Sequence, residues 1–439
     1  MKSTTLIRTA THSTKFSNTG KLEVLRTFLS EYQLAVQHYV DYFWTTKVEW
    51  FASDKSTKCL DVINNQFDLP NFISTVGNEP KNTPSLSAKM FKSAAGQALG
   101  IVGSVIAKRN KIAFKLNIAI VKGDINRVAK LQEQLEKFNL TKPDAKITTA
   151  NLDSNTLEFI EINKRTDERF KEFDGFLKIT SMSKTLGFIE IPVKFHRQVK
   201  NLQNRGYKQK TTWFVSIDKV CSTWEKPRSA KKQSGRKVGA DQGIKTCLTL
   251  SDGQATSKCN HGHSLESIMQ KLSRCKKGSN GFKRAQEHRK NYINWSIKQL
   301  NLDDINEIGY ENVKNIRFGK NQSNFMKSWT FTTIRTAVER RCEEEGVLLT
   351  QQSSIYRSQR CSSCGFVHKK SRNKKQFTCT QCGHCLDADL NGALNHEVDL
   401  LDIPYALLSR KLNIVGFYWL EYGLYSIDGE EITVPQQEK

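Results

Sequence analysis

Two Cys-x-x-Cys-Gly motifs lie close together in the last third of the chain. Cys361-Ser-Ser-Cys364-Gly is followed by Cys379-Thr-Gln-Cys382-Gly. The two-residue spacing lets both thiolates of a motif reach one ion, and the glycine allows the tight turn behind them. Four thiolates form a closed tetrahedral site, so we expect one structural Zn²⁺ held by Cys361, Cys364, Cys379 and Cys382. A redox pair is the alternative, and the sequence leaves open whether His384 or Cys385 contributes to zinc.

The charge of the chain constrains its partners. Its 439 residues include 68 Lys and Arg against 44 Asp and Glu, a formal net charge of +24. Such an excess favours a polyanionic partner, which indicates a nucleic-acid-binding protein. A ribosome-associated protein or a merely basic enzyme remains an alternative. The polar start and the lack of a run of about 18 apolar residues predict a cytoplasmic location without membrane contact, and nucleoid association in a prokaryote.

Periodicity predicts a multidomain α+β fold. A short strand opens the chain, apolar residues at helical spacing follow to about residue 150, and period-two strands follow to about residue 225. We predict a β-barrel from residues 1–20 and 151–225, interrupted by a helical domain of residues 21–150. The basic segment 226–237 then predicts a linker near phosphates, which suggests Lys231, Lys232 and Arg236 as nucleic-acid contacts; a solvated surface run explains it equally well.

Three carboxylates lie at the ends of predicted elements in the following α/β region. Asp241 ends a strand before a tight turn at Gly243, Glu311 ends a second strand, and Asp389 begins a helix. Simple turn or helix capping explains each one alone, with Asp387 an alternative cap for the helix. Together, an Asp, Glu, Asp set in a basic protein predicts phosphodiester hydrolysis with two Mg²⁺ or Mn²⁺ ions, because hard oxygen ligands select these metals.

The ordered set of motifs resembles a known family. VGADQGIKTCLTLSDG, IGYENVKNI and FTCTQCGHCLDADLNGALNHE, with the cysteine motifs before the last Asp, resemble the RuvC-type RNase H-like domain of TnpB proteins and of compact type V CRISPR effectors. The resemblance covers residues 237 to about 397. It implies a RuvC-like nuclease domain of residues 238–355 and 386–439, with a zinc ribbon of residues 356–385 inserted to bind target nucleic acid. It also implies that the N-terminal barrel is wedge-like and its helical insert a recognition domain.

The family resemblance implies an RNA-guided DNA endonuclease with Asp241, Glu311 and Asp389 as the catalytic, metal-binding acids. Its partners would be a guide RNA, double-stranded target DNA and the displaced single strand. We expect four cations beside the groove to follow that strand, with generic surface charge as the alternative, namely Lys276, Lys277, Lys283 and Arg284. A homodimer, the guide architecture and the role of the tail 398–439 stay open.

Two other functions stay open at this point. One is an RNA-independent nuclease or transposase of the same fold. The other is an RNA-guided DNA-binding repressor that does not cut, although such a protein would be expected to have lost one or more of the acids that this chain keeps.

Overall fold

The computed structural model describes residues 4–46, 86–121, 123–145, 149–162, 170–180, 182, 186–243, 245–312, 331–403, 407 and 410–433. The multidomain α+β fold divides into two compact units. One unit comprises Ile7–Lys226, and the other comprises Met1–Leu6 with Pro227–Lys439. Each unit is described by itself below.

The helices and strands are numbered here in chain order. The helices are α1 (Thr19–Thr46), α2 (Ala88–Val121), α3 (Ile125–Leu140), α4 (Arg197–Asn204), α5 (Leu265–Arg274), α6 (Asn280–Lys298), α7 (Phe331–Glu345), α8 (Ala388–Glu397) and α9 (Leu412–Val415). The strands of the first unit and its boundary are β1 (Thr5–Ser13), β2 (Ala150–Leu152), β3 (Leu157–Glu161), β4 (Gly175–Ile179), β5 (Ile189–Val193), β6 (Lys208–Val215) and β7 (Lys219–Pro227). The remaining strands are β8 (Arg236–Asp241), β9 (Thr249–Leu250), β10 (Ile305–Asn312), β11 (Leu348–Ser353), β12 (Phe366–Val367), β13 (Arg372–Asn373), β14 (Gln376–Thr378), β15 (Cys385–Asp387), β16 (Phe417–Leu420) and β17 (Gly423–Tyr425).

Helices α1 and α2 form the core of the unit Ile7–Lys226. The apolar residues of α1 recur at helical spacing and are buried, which confirms the helix predicted there: Leu25, Phe28, Tyr32, Val36, Tyr39, Val40 and Phe43. Met90, Ala94, Ala98 and Val102 of α2 are buried in the same cluster. The small side chains at this spacing allow the two helices to approach closely.

Helix α2 is also long and apolar enough, by length and composition alone, to cross a membrane. Its segment Lys89–Val121 has a mean hydropathy of 1.3 in its most apolar window, and 44% of that window is buried. Because the core helix of a water-soluble domain passes the same criterion, and the N-terminal half of α2 packs against α1, we interpret α2 as a core helix.

The strands of this unit form two open sheets. The order in the first is β1-β7-β6-β2, and β3, β4 and β5 form an antiparallel meander. The sheets pack through Phe159 and Trp213, whose ring centroids are 5.5 Å apart. The predicted β-barrel is therefore wrong for the described residues, where no closed barrel forms. Period-two apolar patterns predict strands with one buried face, and two stacked sheets bury that face as well as a barrel does.

A mixed four-stranded sheet is the centre of the second unit. Its order is β11-β10-β8-β9; β8, β10 and β11 run parallel, and β9 is antiparallel to β8. One face carries Val238, Ala240, Ile308 and Tyr310 and is covered by α5, α6 and α7 in one apolar core. Helix α8 lies against the other face.

The C-terminal tail packs against the cysteine motifs. Strand β16 pairs antiparallel with β12, which follows the first motif, and with β17. The buried guanidinium of Arg357 lies 5.4 Å from the Trp419 ring. Arg360 Nε donates to the Trp419 carbonyl oxygen at 2.7 Å. The tail is thus a packed part of this unit, although residues 404–406, 408–409 and 434–439 lie outside the described residues.

Candidate functional site

Strands β8 and β10 end in the same short pattern, glycine, one residue, then an acid. The segments are Gly239-Ala240-Asp241 and Gly309-Tyr310-Glu311, and Gly239 is the register partner of Gly309. The carboxyl ends of neighbouring parallel strands lie at the same edge of a sheet. Because side chains alternate along a strand, each acid shares a face with the glycine two residues before it.

Helix α8 packs directly on the two glycines, Gly239 and Gly309, which are called here the glycine contact. A Cβ at Gly239 would lie 1.9 Å from the Ala393 carbonyl oxygen, and one at Gly309 would lie 2.0 Å from the His396 carbonyl oxygen. These are impossible contacts, so any other residue at either position would push the helix away. The glycines therefore set the close approach between α8 and the acidic ends of the two strands.

Helix α8 brings the third acid to this edge. Asp387 is the exposed N-cap, and its side chain accepts hydrogen bonds from the backbone N–H of Asp389 and of Leu390. Asp389 is buried, with 5% of its surface exposed. A Cβ at Gly392, one turn further on, would lie 3.0 Å from the Asp241 carboxyl carbon. Asp387 thus caps the helix, while Asp389 and Asp241 lie against the same helical face.

Burial raises the pKa values of Asp241 and Glu311. Burial, and then the charges of Glu311 and Asp389, raise the pKa of Asp241 well above its usual value. Burial also raises the pKa of Glu311 to about 7, against a lowering effect of Arg372. Buried carboxylates that face one another need a compensating cation. The oxygen donors of Asp241 and Glu311 therefore fit a hard divalent cation such as Mg²⁺ or Mn²⁺, whereas Asp389 lies near them but is not among the donor atoms that come within 4.8 Å of one another.

Two cations from the segment between the cysteine motifs contact Asp389. This segment, residues 368–377, is called here the basic finger. Lys375 Nζ forms an ion pair with Asp389 Oδ2, and Arg372 Nη2 lies 3.3 Å from Asp389 Oδ1. The family resemblance implies that residues 356–385 bind target nucleic acid, which stays a prediction. In the structure two side chains of the finger contact the third acid.

The structure adds a residue to the site that the sequence analysis missed. One ring nitrogen of His396 and one carboxylate oxygen each of Asp241 and Glu311 lie within 4.8 Å of one another. Burial, followed by the charge of Arg357, lowers the pKa of His396 to about 3, so the imidazole is neutral. The available signal was the spacing of Asp389, Gly392 and His396, which places all three on one face of a helix.

The four cysteines predicted to hold zinc lie together. Their Sγ atoms are within 4.8 Å of one another, with 3.8 Å between Cys361 and Cys382 and 3.6 Å between Cys364 and Cys379. Tetrahedral Zn²⁺ with Zn–S bonds of about 2.3 Å requires S···S separations of about 3.8 Å. The four-cysteine cluster therefore fits a closed structural zinc site.

The two cysteine motifs have the same backbone geometry. Gly365 N–H donates to the Cys361 carbonyl at 3.0 Å, and Gly383 N–H donates to the Cys379 carbonyl at 3.1 Å. Both glycines have positive φ, 76° and 74°, which explains why glycine follows each motif. Cys385 lies outside the four-cysteine cluster, in β15, where its Sγ contacts the side chains of Thr378 and Gln376.

The cysteine motifs are attached to helix α8 by buried polar contacts. The side-chain amides of Asn391 and Asn395 both donate to the Arg360 carbonyl oxygen at 2.8 Å. Asn391 Oδ1 accepts the backbone N–H of Ser362 at 3.0 Å. One face of α8 thus holds the first cysteine motif, and another lies against Asp241 and the strands.

The predicted nucleic-acid contacts fall into two groups. Lys231 Nζ donates to the Val347 carbonyl at 2.7 Å, Lys232 Nζ to the Asp303 carbonyl at 2.8 Å, and Arg236 pairs with Asp252 and Asp304. The cations of the second group are exposed on or between α5 and α6: Lys276, Lys277, Lys283 and Arg284. Nucleic-acid binding by either group stays a prediction.

Comparison with known proteins gives a family match in this second unit and two curated relatives. Residues 331–396, which include α7, the four-cysteine cluster and most of α8, match a family described as Cas12f1-like, TNB domain. The CRISPR-associated endodeoxyribonuclease Cas12f1 of Sulfoacidibacillus thermotolerans is 26% identical over 155 residues, 35% of this chain and 36% of that protein. The Cas12f1 of Syntrophomonas palmitatica is 27% identical over 124 residues, 28% of this chain and 24% of that protein. The alignments thus span about a third or less of these relatives.

One solved structure has a similar fold over most of the chain. It is the cryo-EM structure of CasPhi-2 (Cas12j) bound to crRNA and phosphorothioate-DNA, with a TM-score of 0.51 and 10% sequence identity. The similarity covers 89% of this chain and 91% of that chain. The family match and the two Cas12f1 relatives agree with the resemblance to compact type V and TnpB-like effectors drawn from the sequence, and the CasPhi-2 structure shows a similar fold.

Proposed function

We propose that the chain is an RNA-guided DNA endonuclease that hydrolyses phosphodiester bonds of target DNA at Asp241, Glu311 and Asp389. The observation that carries the proposal is that Asp241 and Asp389, both buried, and the half-buried Glu311 lie at one edge of a sheet, beside the four-cysteine cluster, in a chain of net charge +24. The relatives named as endodeoxyribonucleases support the reaction. The mixed sheet supports a RuvC-like assignment for residues 238–355 and 386–439.

The site residues divide the work of hydrolysis. Two Mg²⁺ or Mn²⁺ ions, when bound, would polarise the scissile phosphate and activate the attacking water. Asp241 and Glu311 offer oxygens from neighbouring strand ends, and α8 presents Asp389 from the opposite side. The glycine contact fixes the distance between the strands and helix α8. The acids are therefore positioned before substrate enters. Before a metal ion binds, Lys375 and Arg372 neutralise the charge of Asp389 by forming ion pairs with it.

The partners follow from the charge and from the relatives. A guide RNA would read the target sequence by base pairing, and the protein would supply positive charge and backbone contacts. Zn²⁺ in the four-cysteine cluster would hold the fold of residues 356–385 without taking part in the reaction, because a site of four thiolates has no open position.

RNA association tests the guided class of function. We expect the full chain, purified from cells that carry its native genomic neighbourhood, to retain one abundant structured RNA with a variable end. Sequencing the bound RNA measures this, with an unrelated basic protein of similar charge as the control. A folded, zinc-containing chain without enriched RNA would overturn the guided function and leave an RNA-independent nuclease or transposase.

A further inference from the structure

His396 lies on the face of α8 that is directed to the acids. Asp389, Gly392 and His396 are separated by three and four residues, so they share one face of the helix. Gly392 packs against Asp241, and the backbone of His396 packs against Gly309. Helical side chains point back toward the helix N-terminus, which brings the imidazole toward the preceding turn, where Asp241 lies.

The ring has one nitrogen engaged by protein and the other available. Nδ1 lies 3.3 Å from Gln352 Oε1, and this is the hydrogen bond of the ring within the part of the chain that the structure describes. An amide oxygen accepts, so Nδ1 carries the proton and the lone pair is on Nε2. Histidine ligands of metals are oriented in this way, by a hydrogen bond from the other ring nitrogen.

The imidazole is nearly inaccessible to solvent, with 2% of the residue exposed. One of its two ring nitrogens lies within 4.8 Å of one oxygen of Asp241 and one of Glu311. Ligands on opposite sides of an octahedral ion are about 4.2 Å apart when each bond is about 2.1 Å. A small inward movement of the three side chains would therefore bring all three donors within bonding distance of one ion.

We propose that His396 is a third protein ligand of the cation held by Asp241 and Glu311, which makes this position a site for a divalent transition-metal ion. The inference rests on the proposed nuclease site and adds a nitrogen donor to it. Imidazole suits transition metals better than it suits Mg²⁺, while carboxylates accept both. The site therefore selects Mn²⁺ over Mg²⁺ more strongly than a site of carboxylates alone.

Mn²⁺ binding to the zinc-loaded full chain, freed of nucleic acid at high salt, tests the inference without measuring cleavage. Pulsed electron paramagnetic resonance detects ¹⁴N coupled to bound Mn²⁺, and continuous-wave spectra give the dissociation constant. The variants are His396→Leu, of similar size without a donor, and Asp241→Asn. The exposed His263 of the same unit supplies the matched control, His263→Leu.

We expect ¹⁴N coupling in the wild type and in His263→Leu. We also expect its loss in His396→Leu, together with a dissociation constant for Mn²⁺ raised at least about tenfold. Bound Mn²⁺ that depends on Asp241 but shows no ¹⁴N coupling in the wild type would overturn the role of His396 and leave the nuclease site intact. Because that result needs only the wild type, a misfolded His396→Leu would not obscure it. Equal Mn²⁺ binding by Asp241→Asn and wild type would overturn both proposals.

Discussion

At the scale of single residues, Asp241 is an acid whose burial opposes the stability of the metal-free fold. It lies at the end of β8 with 8% of its surface exposed, between Glu311 and the face of α8. Its raised pKa means that the folded chain holds a proton which the unfolded chain releases more readily. Stability therefore falls as the pH rises from the unfolded-state pKa through the folded-state pKa.

The variant Asp241→Asn should accordingly stabilise the metal-free, zinc-loaded chain while removing its activity. We expect the free energy of unfolding at pH 8 to rise by about 1–3 kcal/mol, because the neutral amide avoids a buried charge. At pH 5 the gain should be smaller, since the wild-type carboxyl is then more often protonated. Urea unfolding at the two pH values measures both effects.

The matched control for this stability measurement is Asp387→Asn. Asp387 is the exposed N-cap of α8, where asparagine caps as well as aspartate, so little change is expected. A loss of stability in Asp241→Asn at pH 8, or an equal gain at both pH values, would contradict this account of the site.

The sequence predicts the three acids because Asp241 and Glu311 end apolar strands, Asp389 begins a helix, and their order is informative; their catalytic role stays a prediction. It could not identify His396, since a histidine on an apolar helix face is ordinarily a core residue and only the packing of α8 shows its neighbours. The repeated pattern of Gly239 with Asp241 and Gly309 with Glu311 was visible in the sequence. Its meaning depends on the parallel register that pairs the two glycines.

At the scale of elements, α8 links the acids to the cysteine motifs. Asn391 and Asn395 hold the Arg360 carbonyl on one side of the helix, and Asp389 receives Lys375 and Arg372 of the basic finger on another. The finger is in turn held between the two motifs. If the four-cysteine cluster loses its fixed structure, the basic finger between the motifs should move. The position of Asp389 should then change as well.

Loss of zinc is the test at this scale. We expect one Zn²⁺ per chain in the wild type and its loss in Cys364→Ser or Cys379→Ser, with a lower unfolding temperature, because four thiolates are needed to close the site. Cys385→Ser is the matched control and should retain full zinc content, since Cys385 lies outside the cluster. Metal analysis by mass spectrometry measures both, and zinc loss in Cys385→Ser would contradict the assignment of ligands.

Local sequence spacing was enough to predict the cysteine site, because both thiolates of each motif and the turn glycine lie within five residues. The contacts of Lys231, Lys232 and Arg236 could not be predicted in this way. Their partners lie about 16 to 116 residues away along the chain. The sequence of a basic segment therefore does not indicate whether its side chains point to solvent or bind backbone carbonyls and acids of the same chain.

At the scale of the whole molecule, the sequence predicted the class of fold correctly, but it did not predict whether the strands close into a barrel. Within the described residues, helices are found before about residue 140 and strands between residues 150 and 227, and the barrel is wrong because alternation does not determine which strands pair. The pairing of the tail strand β16 with β12 was likewise invisible, since it joins residues about 50 positions apart. Net charge, by contrast, needs no fold to indicate a polyanionic partner.

Guide-dependent cleavage tests the central claim most directly. The chain, loaded with its copurified RNA or with a reprogrammed copy, is mixed with duplex DNA that matches or does not match the guide, in Mg²⁺ or Mn²⁺. The account predicts cutting of the matched duplex alone, with a loss of at least about a thousandfold in Asp241→Asn, Glu311→Gln and Asp389→Asn and retained target binding. Cutting at the wild-type rate by these variants, or equal cutting of both duplexes by RNA-free protein, would contradict it.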